Sequence, residues 1–471
     1  MPGELSSEAW AKERLELAQP IEFPKEWPEV DRRISGEFLV EALPDSKWAK
    51  VPTGFVVVNA IIVTPLERRY AQVDGEICFE ECVFEAGVEL PYANFKRRVR
   101  FLGCTFKGTL NVQTCRVPDL DFGESRAGIP TVFHSDANFV TSEITGQLFC
   151  HKAQFLSKEG VVTFNSAKIS GSAFFQECLF QGTADFGHAE IGRNLACQDA
   201  KFLGDHVNVV FNSLKVSGNA FFDRATLEGL VDLGDCTFLR NVSLIGARFS
   251  QSLNFSNTSI AGTLYVFTTT SSGGNESTLE TKLPPIAVLR GLTYGRTDLE
   301  YENRWRTWLG LRRHKDSYDP APYRTLEEYF HQAGRDDLAD EVHYEMRKAE
   351  GQALWRQGRL DKWSVNCLLR WTVGYGVYGW RLFVWTGVVL LPAWLFFVVT
   401  LKQAIEPDKP VSLLSLIYTM DVFLPVNLNQ EELYTRPGPV FAIVKFVTKL
   451  WGWVIVPLAM AQLAGFLKKK R

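Results

Sequence analysis

Four residues in the apolar C-terminal third mark a candidate pore or re-entrant segment: Asp421, Pro425, Lys445 and Lys449. The run 411–426 is apolar but too short to cross a bilayer, and it holds Asp421 and Pro425. Such a segment is commonly re-entrant or interfacial. Lys445 and Lys449 stand one helical turn apart. They either line a pore or snorkel to the membrane interface, because a charge left in hydrocarbon is expensive. On a separate stretch His331 and His343 have Glu327, Asp336 and Glu345 near them in sequence, donor types that could hold a metal. His134, His151, His188 and His206 are scattered without a fixed offset and read as surface residues.

Residues 372–376 spell Thr-Val-Gly-Tyr-Gly, the string whose carbonyls replace the hydration shell of potassium in selectivity filters. That chemistry needs an apolar span before the string and a pore helix aimed at it. Upstream stand Arg356, Arg359, Lys362 and Arg370 instead, so the expected role is a glycine-bent approach to a membrane surface. Dinucleotide and nucleotide loops are not found, and no serine has a nucleophile-elbow context. No catalytic, cofactor-binding or metal-binding residue is assigned, and no cofactor is expected.

What would position these groups is a repeat. Val209, Ala220, Val231, Val242, Leu253 and Leu264 form a column at a step of eleven residues. Phe211, Phe222, Leu233, Leu244, Phe255 and Val266 form a second, two residues on. Apolar–x–apolar triplets separated by Asn, Gly, Asp and Ser are short strands joined by corners. The pattern predicts a four-sided β-solenoid with about 22 residues and two eleven-residue units per coil. It starts at Ile77, loses register around residues 123–130, and gives about eight coils and a rod of about 35–40 Å. Leu233 and Leu244 should point inward and Ser243 outward. Seven cysteines (Cys82, Cys104, Cys115, Cys150, Cys178, Cys197 and Cys236) occupy inward columns alongside Ala, Ser and Thr, so they read as small buried hydrophobes. Cys78 and Cys82 are the one close pair. With nine cysteines full pairing is impossible, and a reducing compartment follows.

The remaining divisions follow from composition. Residues 1–70 read as an N-terminal cap with helices near 8–18 and 34–43, residues 71–267 as the solenoid, and 268–297 as a linker and last strand. Residues 298–362 contain a helical hairpin at 322–357, similar to one tetratricopeptide-type helix pair, that should cap the solenoid end. Residues 363–471 form a membrane domain with spans at 382–401 and 447–467. Basic residues before the first span and after the second, against an acidic intervening loop, place both termini in the cytoplasm. The net charge of −3 gives no sign of a nucleic-acid partner.

The units Ala93-Asn94-Phe95, Ala137-Asn138-Phe139 and Ala184-Asp185-Phe186 resemble those of pentapeptide-repeat proteins, with steps of five and six alternating. With the N-terminal segment 27–43 and the hydrophobic end, most of the chain is similar to bacterial membrane proteins often labelled membrane-associated oxidoreductases. The resemblance implies a multi-pass protein of the bacterial inner membrane and carries over no catalytic residue. The expected function is a non-enzymatic, membrane-anchored interaction scaffold or sensor with a protein partner on the solenoid surface. The alternatives are an oligomeric two-span ion channel, and the redox activity that the label suggests.

Overall fold

The computed structural model describes residues 7–43, 46–204, 208–267, 281–299, 304–310, 318–402, 410–424 and 438–463. The chain forms two compact units, 1–315 and 316–471.

The first unit is a four-faced, all-parallel β-solenoid. Two of its faces are ten-stranded ladders, and the other two join into a single sheet through the long strand Ser259–Tyr265. Register follows the repeat: Phe79 pairs with Phe101, Phe84 with Phe106, and Val209 with Val231. The coil begins earlier than Ile77. Phe55–Val58, Ile61–Ile62, Leu66–Glu67 and Gln72–Val73 already make one full circuit, in register with the next. The expected cap at 1–70 therefore contains a coil that its irregular corners hid. The segment 281–299 adds Ile286–Val288 and Thr293–Thr297 beyond the insertion. Residues 268–280 of the expected linker, and His206, lie outside the described residues.

Aromatic ladders fill the interior. Phe84, Phe106, Phe133, Phe155, Phe180 and Phe202 stack with ring centroids 4.6–4.8 Å apart, the spacing of adjacent strands. Phe139, Phe164, Phe186 and Phe211 form a second stack.

The corners explain the small columns. Two corners of each coil place a residue at positive φ, among them Tyr70, Tyr92, Thr114, Glu177, Asp199, Arg224 and Asp235. Side chains other than glycine pay about 1–2 kcal/mol for this conformation, so packing from the neighbouring coils has to enforce it. The next residue turns inward and, apart from exceptions such as Leu214 after Ser213, is small: Ala93, Cys115, Cys178, Ala200, Ala225 and Cys236 are all fully buried. Where it is polar it donates to a carbonyl one coil back, as Cys236 Sγ does to Phe211 O (3.0 Å) and Ser142 Oγ to Val112 O (3.0 Å). A thiol or hydroxyl here satisfies an acceptor that alanine leaves to the backbone alone.

Helices cover both ends. At the start, α1 (Ser7–Glu16) and α2 (Gly36–Ala42) are followed by Trp48, which is buried, donates to Ala42 O (2.9 Å) and meets Phe55 edge-on. At the far end, α3 (Arg304–Gly310) buries Trp305 and Trp308, the latter 6.4 Å from the Phe255 ring. Asp298 accepts from the backbone of Val266 (2.9 Å) and Phe267 (2.7 Å), tying the last strand down. α3 thus covers the last coil with two tryptophans.

The second unit is helical. α4 (Ala321–Gln332) and α5 (Asp336–Arg356) form that hairpin around Leu326, Phe330, Leu338, Val342 and Met346, turning at Gly334. α5 packs on α6 (Leu360–Thr372). Beyond it come α7 (Trp380–Leu401), α8 (Val411–Phe423) and α9 (Pro439–Leu463). α7 and α9 are long and apolar enough to cross a membrane. α9 starts at Pro439, eight residues before the 447 expected for the second span, and carries Lys445 within the helix.

Candidate functional site

The three apolar helices pack together, and the order of their contacts fixes the direction of α8. Its first residues, Val411 and Leu414, belong to a cluster with Phe397, Leu401 and Phe441. Its last, Phe423 and the following Leu424, pack with Leu382 and Ile455. α8 therefore runs parallel to α9 and antiparallel to α7, starting beside the end of α7. α9 begins again at that same end, where Phe441 lies 5.5 Å from Phe397. α8 is thus a short apolar helix that starts beside the end of α7 and the start of α9 and ends packed between them.

Close approach depends on Gly452. A Cβ there would sit 1.7 Å from the carbonyl oxygen of Phe423, so only glycine lets α9 lie against the end of α8. Buried polar residues accompany the contact: Ser415, Thr419 and Asp421 on α8, and Thr448 on α9. Thr419 and Thr448 donate back to Ser415 O (2.6 Å) and Val444 O (2.8 Å), which hides their hydroxyls within their own helices. The Ser415 hydroxyl has no partner among the described residues.

Of the four residues singled out in the sequence, Asp421 is buried, at 3% exposure. Lys445 is half-buried and Lys449 exposed on α9, the helix against which α8 packs. None of the three is without a partner. Pro425 lies outside the described residues. Gly452 and the Ser415–Thr419–Thr448 group were not singled out. The available signal was a glycine and hydroxyls among large apolar side chains.

The 372–376 string is a tight turn between α6 and α7. Gly374, Tyr375 and Gly376 all have positive φ, and all three are buried. The Tyr375 hydroxyl bonds Asn366 Oδ1 (2.8 Å), and Asn366 Nδ2 donates to Arg347 O on α5 (3.1 Å). Tyr344 of α5 packs against Tyr375 and Tyr378. Its glycines serve a bend that locks α5, α6 and α7 together.

Across the hairpin, His343 Nδ1 lies 3.2 Å from Glu327 Oε1, and His331 Nδ1 lies 2.7 Å from Asp336 Oδ1. Glu345 instead pairs with Lys348 (3.1 Å). The two histidines thus go to separate carboxylates, and among the described residues no three metal-ligating side chains converge.

On the solenoid, His134 and His188 are exposed and His151 half-buried. Eight cysteines are buried, and burial pushes the thiols of Cys78 and Cys115 up to about 11 and that of Cys236 up to about 12. Ser243 lies in the outward column, in register with Phe221 and Tyr265, between the inward Val242 and Leu244. It is buried, and its Oγ donates to Asp223 Oδ1.

One exposed column has a pattern of its own. Arg116, Glu143, Lys168, Glu190 and Lys215 are successive partners in register on one face, so charge alternates in sign from coil to coil. Arg116 and Glu143 approach to 3.8 Å.

The sequence model of a family described as pentapeptide repeats (9 copies) matches residues 211–263, within the most regular stretch of the solenoid. No curated protein and no solved structure matches the chain.

Proposed function

We propose that this chain is a membrane-anchored β-solenoid whose coil surface is a cytoplasmic interaction scaffold or sensor, without catalysis of its own, in a bacterial inner membrane with both termini cytoplasmic. The observation that carries the reading is the pairing of a rigid, ladder-patterned solenoid with two helices whose outer faces expose residues such as Phe383, Val399 and Phe446. A repeat surface with fixed side-chain spacing suits recognition of an extended partner. Lipid covers the exposed apolar helix faces.

The test is proximity crosslinking in cells, comparing the native chain with a Glu143→Lys/Glu190→Lys variant. A partner lost only with the variant, at equal membrane abundance, supports the scaffold. A partner set that ignores the ladder argues against it, as does an accessible terminus outside intact cells.

A second reading, an oligomeric ion channel, is favoured by one observation: α8 enters beside the start of α9 and ends deep in the bundle. Two spans enclose no pore alone, so it requires several copies. Ion flux into liposomes, with selectivity altered by Lys445→Glu, supports this reading. A monomer without conductance ends it.

A further inference from the structure

α6 carries an apolar face that the protein leaves uncovered. Leu360, Cys367, Leu368 and Trp371 recur at helical spacing along one side, with Trp363 at its edge. Leu360 is 57% exposed, Leu368 43% and Trp371 66%. Trp355, packed on Trp363, extends the patch at 56% exposure. The opposite side of α6 is the one that Asn366 turns to α5.

Two observations say what covers this face. The end of α6 is continuous with the apolar bundle: Leu369 and Val373 share a cluster with Leu382, Phe423 and Ile455. Trp385 Nε1 of α7 also donates to Trp371 O (2.7 Å), which holds Trp371 level with the second turn of that span. The rim is basic as well. Arg356 and Arg359, just before α6 at the start of this face, are both exposed. Tryptophan and leucine facing outward, a cationic rim and direct continuity with a span are the features of a helix lying in the headgroup plane.

We propose that α6 lies in the bilayer interface, with its Leu360–Leu368–Trp371 face at the acyl boundary and its basic rim on anionic phospholipid headgroups. The inference rests on reading α7 and α9 as membrane spans. In-plane seating would fix the height and angle at which the Gly374–Gly376 turn presents α5 above the membrane. Anionic lipid content thereby becomes an input to the helical hairpin.

Cys367 provides the probe, because it lies on this face and is the one cysteine that is not buried. The full chain, nitroxide-labelled there, is reconstituted in vesicles of phosphatidylcholine alone or with phosphatidylglycerol. Collision with oxygen is compared with collision with a water-soluble nickel chelate. A second label at Leu391→Cys reports on the exposed face of α7. The expected result is a deep Leu391→Cys label and a shallow Cys367 label, shielded from nickel. That shielding should be at least two-fold stronger with phosphatidylglycerol and lose this dependence in an Arg356→Gln/Arg359→Gln variant. A Cys367 label as open to nickel as one in water, beside a deep Leu391→Cys label, overturns this inference and leaves the spans intact. A water-exposed Leu391→Cys label overturns both. Dipolar broadening between Cys367 labels, as a second copy on this face would give, also overturns the lipid assignment.

Discussion

A Cβ added to Gly452 would lie 1.7 Å from the carbonyl oxygen of Phe423. α9 therefore meets the C-terminal end of α8 backbone to backbone. Gly452→Leu must push the helices apart or shift their register, whereas Gly452→Ala requires a smaller movement of the same kind. The expected outcome is a lower melting temperature for the detergent-solubilised chain, graded Ala before Leu. The solenoid's far-ultraviolet signal should persist above that transition. Unchanged melting with Gly452→Leu would mean that α8 does not pack on α9.

Inward and outward positions on the coil give a sharper contrast than the alternating pattern alone. Leu244 is buried in an apolar column, and Leu244→Asp should destabilise the solenoid by about 3–5 kcal/mol, since an unpaired carboxylate is buried. The adjacent Ser243 looks like a harmless control in the sequence, but its hydroxyl bonds Asp223. Ser243→Asp would place two carboxylates side by side and should cost about 1–3 kcal/mol. Ser243→Ala should be milder than either. Denaturant melts of the three variants decide the order.

The eleven-residue columns revealed the fold because each strand is short and its inward residues are large, so the period survives variable corners. The first coil, 55–73, was legible only as a β-rich run: its corners carry Asn59 and Tyr70, which give no glycine signal although both have positive φ. Ser243 is outward as its place in the alternation implies, but two-residue periodicity does not register that its hydroxyl is covered and held by Asp223 of the neighbouring coil. In the apolar end, hydropathy located the helices and the charged residues. The direction of α8 and the glycine contact depend on pairing between helices, which no single stretch of sequence encodes.

The Arg116–Glu143–Lys168–Glu190–Lys215 column was hidden because its members are spaced unevenly, by insertions at the corners. Glu190→Lys would stack three like charges on adjacent coils. It should cost about 1 kcal/mol at low ionic strength, and less as salt screens the exposed column. Lys215→Glu added to Glu190→Lys should recover part of the loss by restoring one opposite pair, because the next partner of Lys215 is the neutral Thr237. A salt-independent effect, or no recovery, would argue against the register.

The 372–376 turn offers a test of bend against filter. Gly376 holds φ at +89°, a conformation costly for alanine, and the neighbouring Tyr375 is fixed by its bond to Asn366. Gly376→Ala should lower the stability of the helical unit by about 1–2 kcal/mol, and Tyr375→Phe by about 1 kcal/mol or less. If the protein conducts ions, Tyr375→Phe should leave its potassium preference unchanged. Lost potassium selectivity would return the string to the role its spelling suggests.

Alkaline pH tests the buried thiols. An unfolded thiol ionises near 9.0, while burial holds Cys78 and Cys115 protonated to about 11 and Cys236 to about 12. Above pH 9 the unfolded chain therefore binds fewer protons than the folded one, so stability falls as pH rises. The contribution of these groups is fully present below pH 9 and is lost through the window from 9 to about 12. Melting temperature should decline more steeply across pH 9–10.5 in the native chain than in a Cys78→Ala/Cys115→Ala/Cys236→Ala variant, because lysines and tyrosines titrate alike in both. At pH 8, a thiol reagent should modify Cys367 rapidly and the eight buried cysteines only at the rate of unfolding. Rapid modification of Cys236 in the folded chain would show that the inward column opens to solvent.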